Sequence, residues 1–142
     1  MVIKTRTNVY QTTYHLVFVT KYRQSIFTTK EQQNALKIYF QQIANNHEIH
    51  IITQEIKSDY AHLLVSFPPH YSISQVVKKL KGSSARYWFM NYPETKSKLW
   101  KGHLWSSSYF VGTTGNVSTN MISDYIKNQH NKVPNKNTYH NT

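Results

Sequence analysis

The sequence predicts an α+β domain: a split βαβ antiparallel sheet with helices on one face, followed by a further helix at the C-terminus. Three observations carry this. Four β-rich segments alternate with two stretches of helical periodicity in the order β-α-β-β-α-β, then α. The second and third β segments are joined by a short polar turn. The length of 142 residues suits one domain with a modest core, 39% of the residues being hydrophobic.

Tyr14-His15-Leu16-Val17-Phe18-Val19 is the first strand, bounded by the basic turn Lys21-Tyr22-Arg23. Thr28 or Thr29 offers an N-cap, with Glu31 or Gln32 three residues on, as in a capping box. Leu36, Phe40 and Ile43 then recur at helical spacing until Asn45-Asn46. Ile49 to Ile56 and Tyr60 to Phe67 read as an antiparallel hairpin turning at Lys57-Ser58-Asp59 and closed by Pro68-Pro69. A second helix runs from Ser72 or Ser74 to about Tyr92. Val76, Leu80, Ser83 and Tyr87 form its apolar stripe, Lys79 and Arg86 share another, and Gly82-Ser83-Ser84 weakens its middle. His103-Leu104-Trp105 and Ser108 to Thr113 make the last strand region. After the turn at Gly115, Ser118 caps a third helix reaching about Gln129, with Val117 and Ile122 spaced as a hydrophobic staple. Residues 1–130 form the domain; Asn131 to Thr142, rich in Asn, Lys and Thr, are expected to be a flexible polar tail.

Composition narrows the function. Seventeen Lys and Arg against six Asp and Glu give a formal charge of +11, the signature of a polyanionic partner, with nucleic acid as the default. So few carboxylates leave paired-carboxylate catalysis and all-carboxylate metal cages short of groups. Eleven tyrosines, six phenylalanines and three tryptophans supply surfaces on which unpaired bases stack. The absence of cysteine excludes disulfides, thiol catalysis and cysteine-ligated metals, and fits a cytoplasmic protein. No apolar run approaches a membrane span, and the N-terminus lacks a signal-peptide stretch, so no membrane partner is expected.

Three places can carry chemistry. In Asp59-Tyr60-Ala61-His62-Leu63-Leu64-Val65, strand alternation puts Tyr60, His62, Leu64 and Ser66 on one face and Ala61, Leu63, Val65 and Phe67 on the other, with Asp59 facing away from His62. On the last helix, Tyr125 and Gln129 share a face. A tyrosine hydroxyl can attack phosphorus when a metal polarises the phosphate, and a glutamine carbonyl can ligate a hard cation. In Lys78-Lys79-Leu80-Lys81-Gly82-Ser83-Ser84-Ala85-Arg86, four cations and two hydroxyls flank a glycine that permits close backbone approach, a pattern for phosphate contact through Lys78, Lys79, Lys81 and Arg86.

These blocks, with Leu104-Trp105-Ser106-Ser107-Ser108-Tyr109-Phe110-Val111, Gly115-Asn116-Val117-Ser118 and Tyr125-Ile126-Lys127-Asn128-Gln129, resemble the Rep-like HUH single-tyrosine transposases of the smallest bacterial insertion sequences, the TnpA type. The resemblance runs from about Tyr14 to Gln129. It implies a ferredoxin-like sheet and a homodimer with composite active sites. It also implies cleavage and rejoining of hairpin single-stranded DNA at insertion-sequence ends, through a 5′-phosphotyrosine intermediate and a divalent metal, Mg²⁺ or Mn²⁺. By position, Tyr125 is then the nucleophile, Gln129 a metal ligand, and His62 the second histidine of the histidine–hydrophobe–histidine motif. Lys21, Tyr22, Arg23, Lys81 and Arg86 fall in blocks expected to touch DNA. The motif's first histidine is replaced by Tyr60, a poor ligand. That departure motivates the alternative of a weakened or inactive derivative that binds DNA or RNA hairpins without cutting them.

Overall fold

The computed structural model describes residues 3–4, 9–10, 12–99 and 102–129. The expected polar tail lies outside the described residues. Two short N-terminal strands, β1 (Ile3–Lys4) and β2 (Val9–Tyr10), pair with each other and were not expected. The main sheet has four antiparallel strands: β3 (Tyr14–Val19), β4 (His50–Lys57), β5 (Tyr60–Ser66) and β6 (Phe110–Thr113), in the order β4-β5-β3-β6. The helices are α1 (Lys30–Asn46), α2 (Ile73–Asn91) and α3 (Thr119–Lys127). This is the ferredoxin-like split βαβ arrangement followed by a C-terminal helix.

Local chemistry sets the helix starts. Thr29 accepts from the Gln32 backbone N–H while the Gln32 side chain accepts from Thr29, and Ser72 and Gln75 repeat the same capping box on α2. Ser118 caps α3 by accepting from Met121 N–H. The helix α2 runs unbroken through Gly82, whose missing side chain faces open space. Its buried stripe is Val76, Val77, Leu80, Ser84 and Trp88, so the lower half of the expected stripe is displaced by one residue. The reason is tertiary: Ser84 accepts from the Trp105 indole N–H at 3.0 Å, and the Trp88 indole donates to Thr95 at 2.9 Å.

One sheet face, carrying Leu16, Phe18, Ala61, Leu63 and Val65, packs on Leu36, Phe40 and Ile43 of α1 and Val76 and Leu80 of α2. Trp105 closes this core against Phe18, Phe27 and Phe40, at 5.6 to 6.2 Å between ring centroids. Fully burying such side chains contributes about 1.5–3 kcal/mol each. The opposite face carries His15, Val17, Tyr60 and His62, and α3 lies across it. Gly112 on β6 sits opposite His15, and a Cβ there would collide with Val117, so glycine lets the chain entering α3 press onto the sheet.

Candidate active site

His62 lies in the middle of β5, with Val17 of β3 on one side and Glu55 of β4 on the other. His15 is the diagonal neighbour of His62 across β3, a spacing that long side chains bridge. The two rings meet edge to edge, with centroids 5.1 Å apart and planes inclined at 30°, and His15 Nδ1 stands 2.9 Å from His62 Nε2. Burial lowers the pKa of His15. It does the same to His62, where His15 adds to the lowering and Glu55 opposes it. Both imidazoles are therefore neutral at pH 7, with one ring nitrogen each free of a proton.

Tyr60 is directed elsewhere. Its hydroxyl donates to Glu55 Oε1 at 3.1 Å, and burial together with the Glu55 charge raises its pKa to about 12. It is a neutral phenol spent on a carboxylate, not a substitute for the missing histidine. Asp59 lies in the β4–β5 turn, where strand alternation does not hold. Instead of facing away, it lines the same cavity as His62 and pairs with Arg23, Nε to Oδ2, at 3.5 Å. The cavity holds about 540 Å³, floored by His15, Glu55 and His62 and roofed by Ile122, Ser123 and Ile126 of α3.

Tyr125 occupies another stripe of the same helix, and Gln129 follows two residues past its last residue, Lys127, short of the helix end expected near Gln129. The Tyr125 ring packs 5.7 Å from Phe110 of β6, and its hydroxyl lies 2.7 Å from Ser108 Oγ. Ser108 donates to Gln129 Oε1 at 3.1 Å, while Gln129 Nε2 donates to the Tyr125 carbonyl. A hydroxyl has one proton, so while Ser108 gives it to Gln129, Tyr125 must be the donor to Ser108. Burial raises the Tyr125 pKa, and a Ser108 proton turned toward the phenol lowers it. Lys81, half-buried with its pKa lowered by burial and by Lys21, donates to the carbonyls of Ser106 and Ser108 at 2.7 and 3.3 Å and braces this loop.

The residues expected to work together thus form two groups in one chain. His62 is on β5 and Tyr125 packs over β6, with β3 between them, a lateral offset of about 10 Å from strand spacing. Among the described residues, no three His, Asp or Glu side chains converge on a cation position. The donor set that does fit a metal is the pair of neutral imidazole nitrogens of His15 and His62. The sequence alone had not singled out His15 or Ser108. Their roles depend on cross-strand register and on the loop before β6, and no local spacing signals either.

The basic residues divide as well. Lys78, Lys79 and Arg86 line an open groove of about 390 Å³ with Gln75, Gly82 and Ser83. Lys81 points the other way, to the Ser108 loop. Of the turn residues, Tyr22 is buried with Lys21 Nζ over its ring at 5.2 Å, and Arg23 holds Asp59. Tyr22 and Arg23 adopt left-handed backbone, with φ of 56° and 52°. Among the described residues, no helix is long and apolar enough to cross a membrane.

Comparison with known proteins places this geometry in context. The sequence profile described as "Transposase IS200 like" matches residues 8–129. The chain is 41% identical over 129 residues to the ISDra2 transposase TnpA of Deinococcus radiodurans, covering 91% of each chain. It is 32% identical over 116 residues to the transposase for insertion sequence element IS200 of Salmonella typhimurium, covering 82% of this chain and 75% of that one. A crystal structure of a Deinococcus radiodurans R1 chain described as a transposase superposes with a TM-score of 0.83 at 38% identity, over 92% of this chain and 99% of that one. A REP-associated tyrosine transposase bound to a REP hairpin shares the fold at a TM-score of 0.54 and 12% identity, over 89% of this chain and 68% of that one.

Proposed function

The chain belongs to the IS200-like transposases, and we propose that it cleaves and rejoins hairpin single-stranded DNA at insertion-sequence ends with Tyr125 as nucleophile. The observation that carries this reading is the placement of Tyr125 near the end of α3, the helix that roofs the cavity holding His62, with Gln129 four residues on and joined to it through Ser108. Tyr125 Oη forms a bond to a phosphodiester phosphorus as the bond from that phosphorus to the 3′-oxygen breaks. The phenol gives up its proton, the departing oxygen takes one up, and a 5′-phosphotyrosine and a free 3′-hydroxyl result. Attack by a 3′-hydroxyl on the phosphotyrosine reverses the step, so no nucleotide energy source is required. A divalent cation, Mg²⁺ or Mn²⁺, held by His62 and Gln129, would polarise the phosphate and stabilise the leaving oxygen.

Because Tyr125 faces β6 and His62 faces the cavity, the site closes between two copies of the chain in a homodimer, α3 of one serving His62 of the other. Two features favour this: α3 has no buried residue, so little holds it in place, and β6 is an edge strand open to pairing. Phosphates of the hairpin lie along Lys78, Lys79 and Arg86, with Arg23 lining the His62 cavity and Lys21 on the side of Lys81. Lys81 acts by holding the Ser108 loop. The DNA substrate places the reaction in the cytoplasm. The test is incubation with single-stranded hairpin DNA and Mg²⁺ or Mn²⁺. A denaturation-resistant protein–DNA adduct is expected, and Tyr125→Phe abolishes it.

A second reading is favoured by one observation, the Tyr60–Glu55 hydrogen bond where a metal ligand is expected. On that reading the chain binds DNA or RNA hairpins and cuts weakly or not at all. Tyr60→His separates the two: a large gain in adduct would show that the wild-type metal site is impaired.

A further inference from the structure

We infer that His15 replaces the absent motif histidine, so that the metal site of this chain is the cross-strand pair His15–His62 instead of two histidines on one strand. The inference rests on the metal-assisted reading above and deepens it.

The distance is the first argument. Two nitrogens bound to one cation at about 2.1 Å, at right angles to each other, stand about 3 Å apart. His15 Nδ1 and His62 Nε2 stand 2.9 Å apart. The direct hydrogen bond between them therefore occupies the edge of a coordination octahedron. To bind a shared ion the rings must turn so that both lone pairs meet at one point, and the breadth of the histidine χ2 torsion gives them freedom to do so. The proton now shared between the rings moves to the outer nitrogen of the donor ring. Each imidazole stays neutral with one N–H, and no net proton is lost.

Register is the second argument. His15 reaches His62 because it lies two residues from Val17, the direct partner of His62, on the same sheet face. On the other flank Glu55 stands opposite His62 and is held there by the Tyr60 hydroxyl, which gives the cavity a negative charge without a third ligand. Tyr60 is thus a positioning residue for Glu55. Gly112, opposite His15, leaves room for the chain entering α3. Two imidazole nitrogens favour first-row transition ions over Mg²⁺, which prefers oxygen ligands, with Co²⁺ bound more tightly than Mn²⁺.

The probe is Mn²⁺ added to the DNA-free wild-type protein, read by paramagnetic broadening of histidine ring signals, with affinity from electron paramagnetic resonance. The expected result is that His15 and His62 broaden together at substoichiometric Mn²⁺, while His47, His50, His70 and His103 persist. His15→Gln weakens Mn²⁺ binding by more than about tenfold, and Tyr60→Phe weakens it less. Broadening of His62 without His15 overturns the inference, as does unchanged affinity in a folded His15→Gln protein. The wild-type spectra decide this even if the variant does not fold. Adduct formation with Mn²⁺ that leaves His15 unbroadened would reject the His15 assignment and leave the cleavage reading intact. Mn²⁺ on the pair with no adduct under any metal would do the reverse.

Discussion

The hydroxyl of Ser108 stands 2.7 Å from that of Tyr125 and is 3.1 Å from the side-chain oxygen of Gln129. One serine proton is therefore contested between Tyr125, the proposed nucleophile, and Gln129 four residues on. As Tyr125 loses its proton, that of Ser108 can turn to the phenolate and stabilise it. Ser108→Ala should raise the Tyr125 pKa further above its ordinary value. The check is a titration of the ring carbons by NMR with labelled tyrosine, assigned through Tyr125→Phe.

Burial already holds the Tyr125 pKa above the ordinary phenol value. If the phenolate attacks, its fraction at neutral pH is small and grows about tenfold per pH unit below a pKa of ~10. The single-turnover rate of adduct formation, at saturating DNA and metal, should then rise steadily from pH 7 to 9. A plateau by pH 8 would contradict a half-buried, protonated phenol as nucleophile.

Lys81 and its helical neighbours should behave differently. Lys78→Gln or Arg86→Gln should lower the slope of log affinity against log salt by about 0.7–0.9 each, the loss of one phosphate contact. Lys81→Met should leave that slope nearly unchanged. It should instead lower stability by about 1–2 kcal/mol through the carbonyls of Ser106 and Ser108, and slow adduct formation. Binding isotherms at several salt concentrations, together with thermal melts, distinguish the two patterns.

Gly112→Ala drives a methyl group into Val117. The expected cost is about 1–3 kcal/mol, concentrated where the chain enters α3. Hydrogen exchange should show faster exchange of α3 amides, with β3 and β5 little changed.

What could be read from the sequence was what repeats locally. The alternation from Tyr60 to Phe67 correctly separated the His62 face from the core face, and of the caps offered, Thr28 or Thr29 and Ser72 or Ser74, the structure uses Thr29 and Ser72. The hairpin turn at Ser58–Asp59 and the cap at Ser118 were equally local. What the sequence did not disclose depends on distant partners. The α2 stripe moves to Ser84 and Trp88 because Trp105 and Thr95 bond to them. Lys81 reads as one more cation in a basic run, yet its ammonium belongs to a loop 25 residues away. His15 sits beside Leu16 in a strand that looks wholly structural. Only the pairing of β3 with β5 shows that it meets His62. Tyr125 was rightly placed on the last helix, but Gln129, expected on the same helix face, falls two residues past its end, and the sequence could not say that Tyr125 turns from His62 toward β6.

Attack of Tyr125 on a DNA phosphate leaves a nucleotide on that side chain. The most direct measurement is peptide mapping of the covalent product by mass spectrometry, after reaction with hairpin single-stranded DNA and Mn²⁺ and digestion of the protein and DNA. The expected product is a single modified peptide, with a nucleotide joined through its 5′-phosphate to the Tyr125 oxygen. Attachment at another residue would contradict it, as would a complete absence of adduct with Mg²⁺, Mn²⁺ and Co²⁺ when hairpin binding is intact.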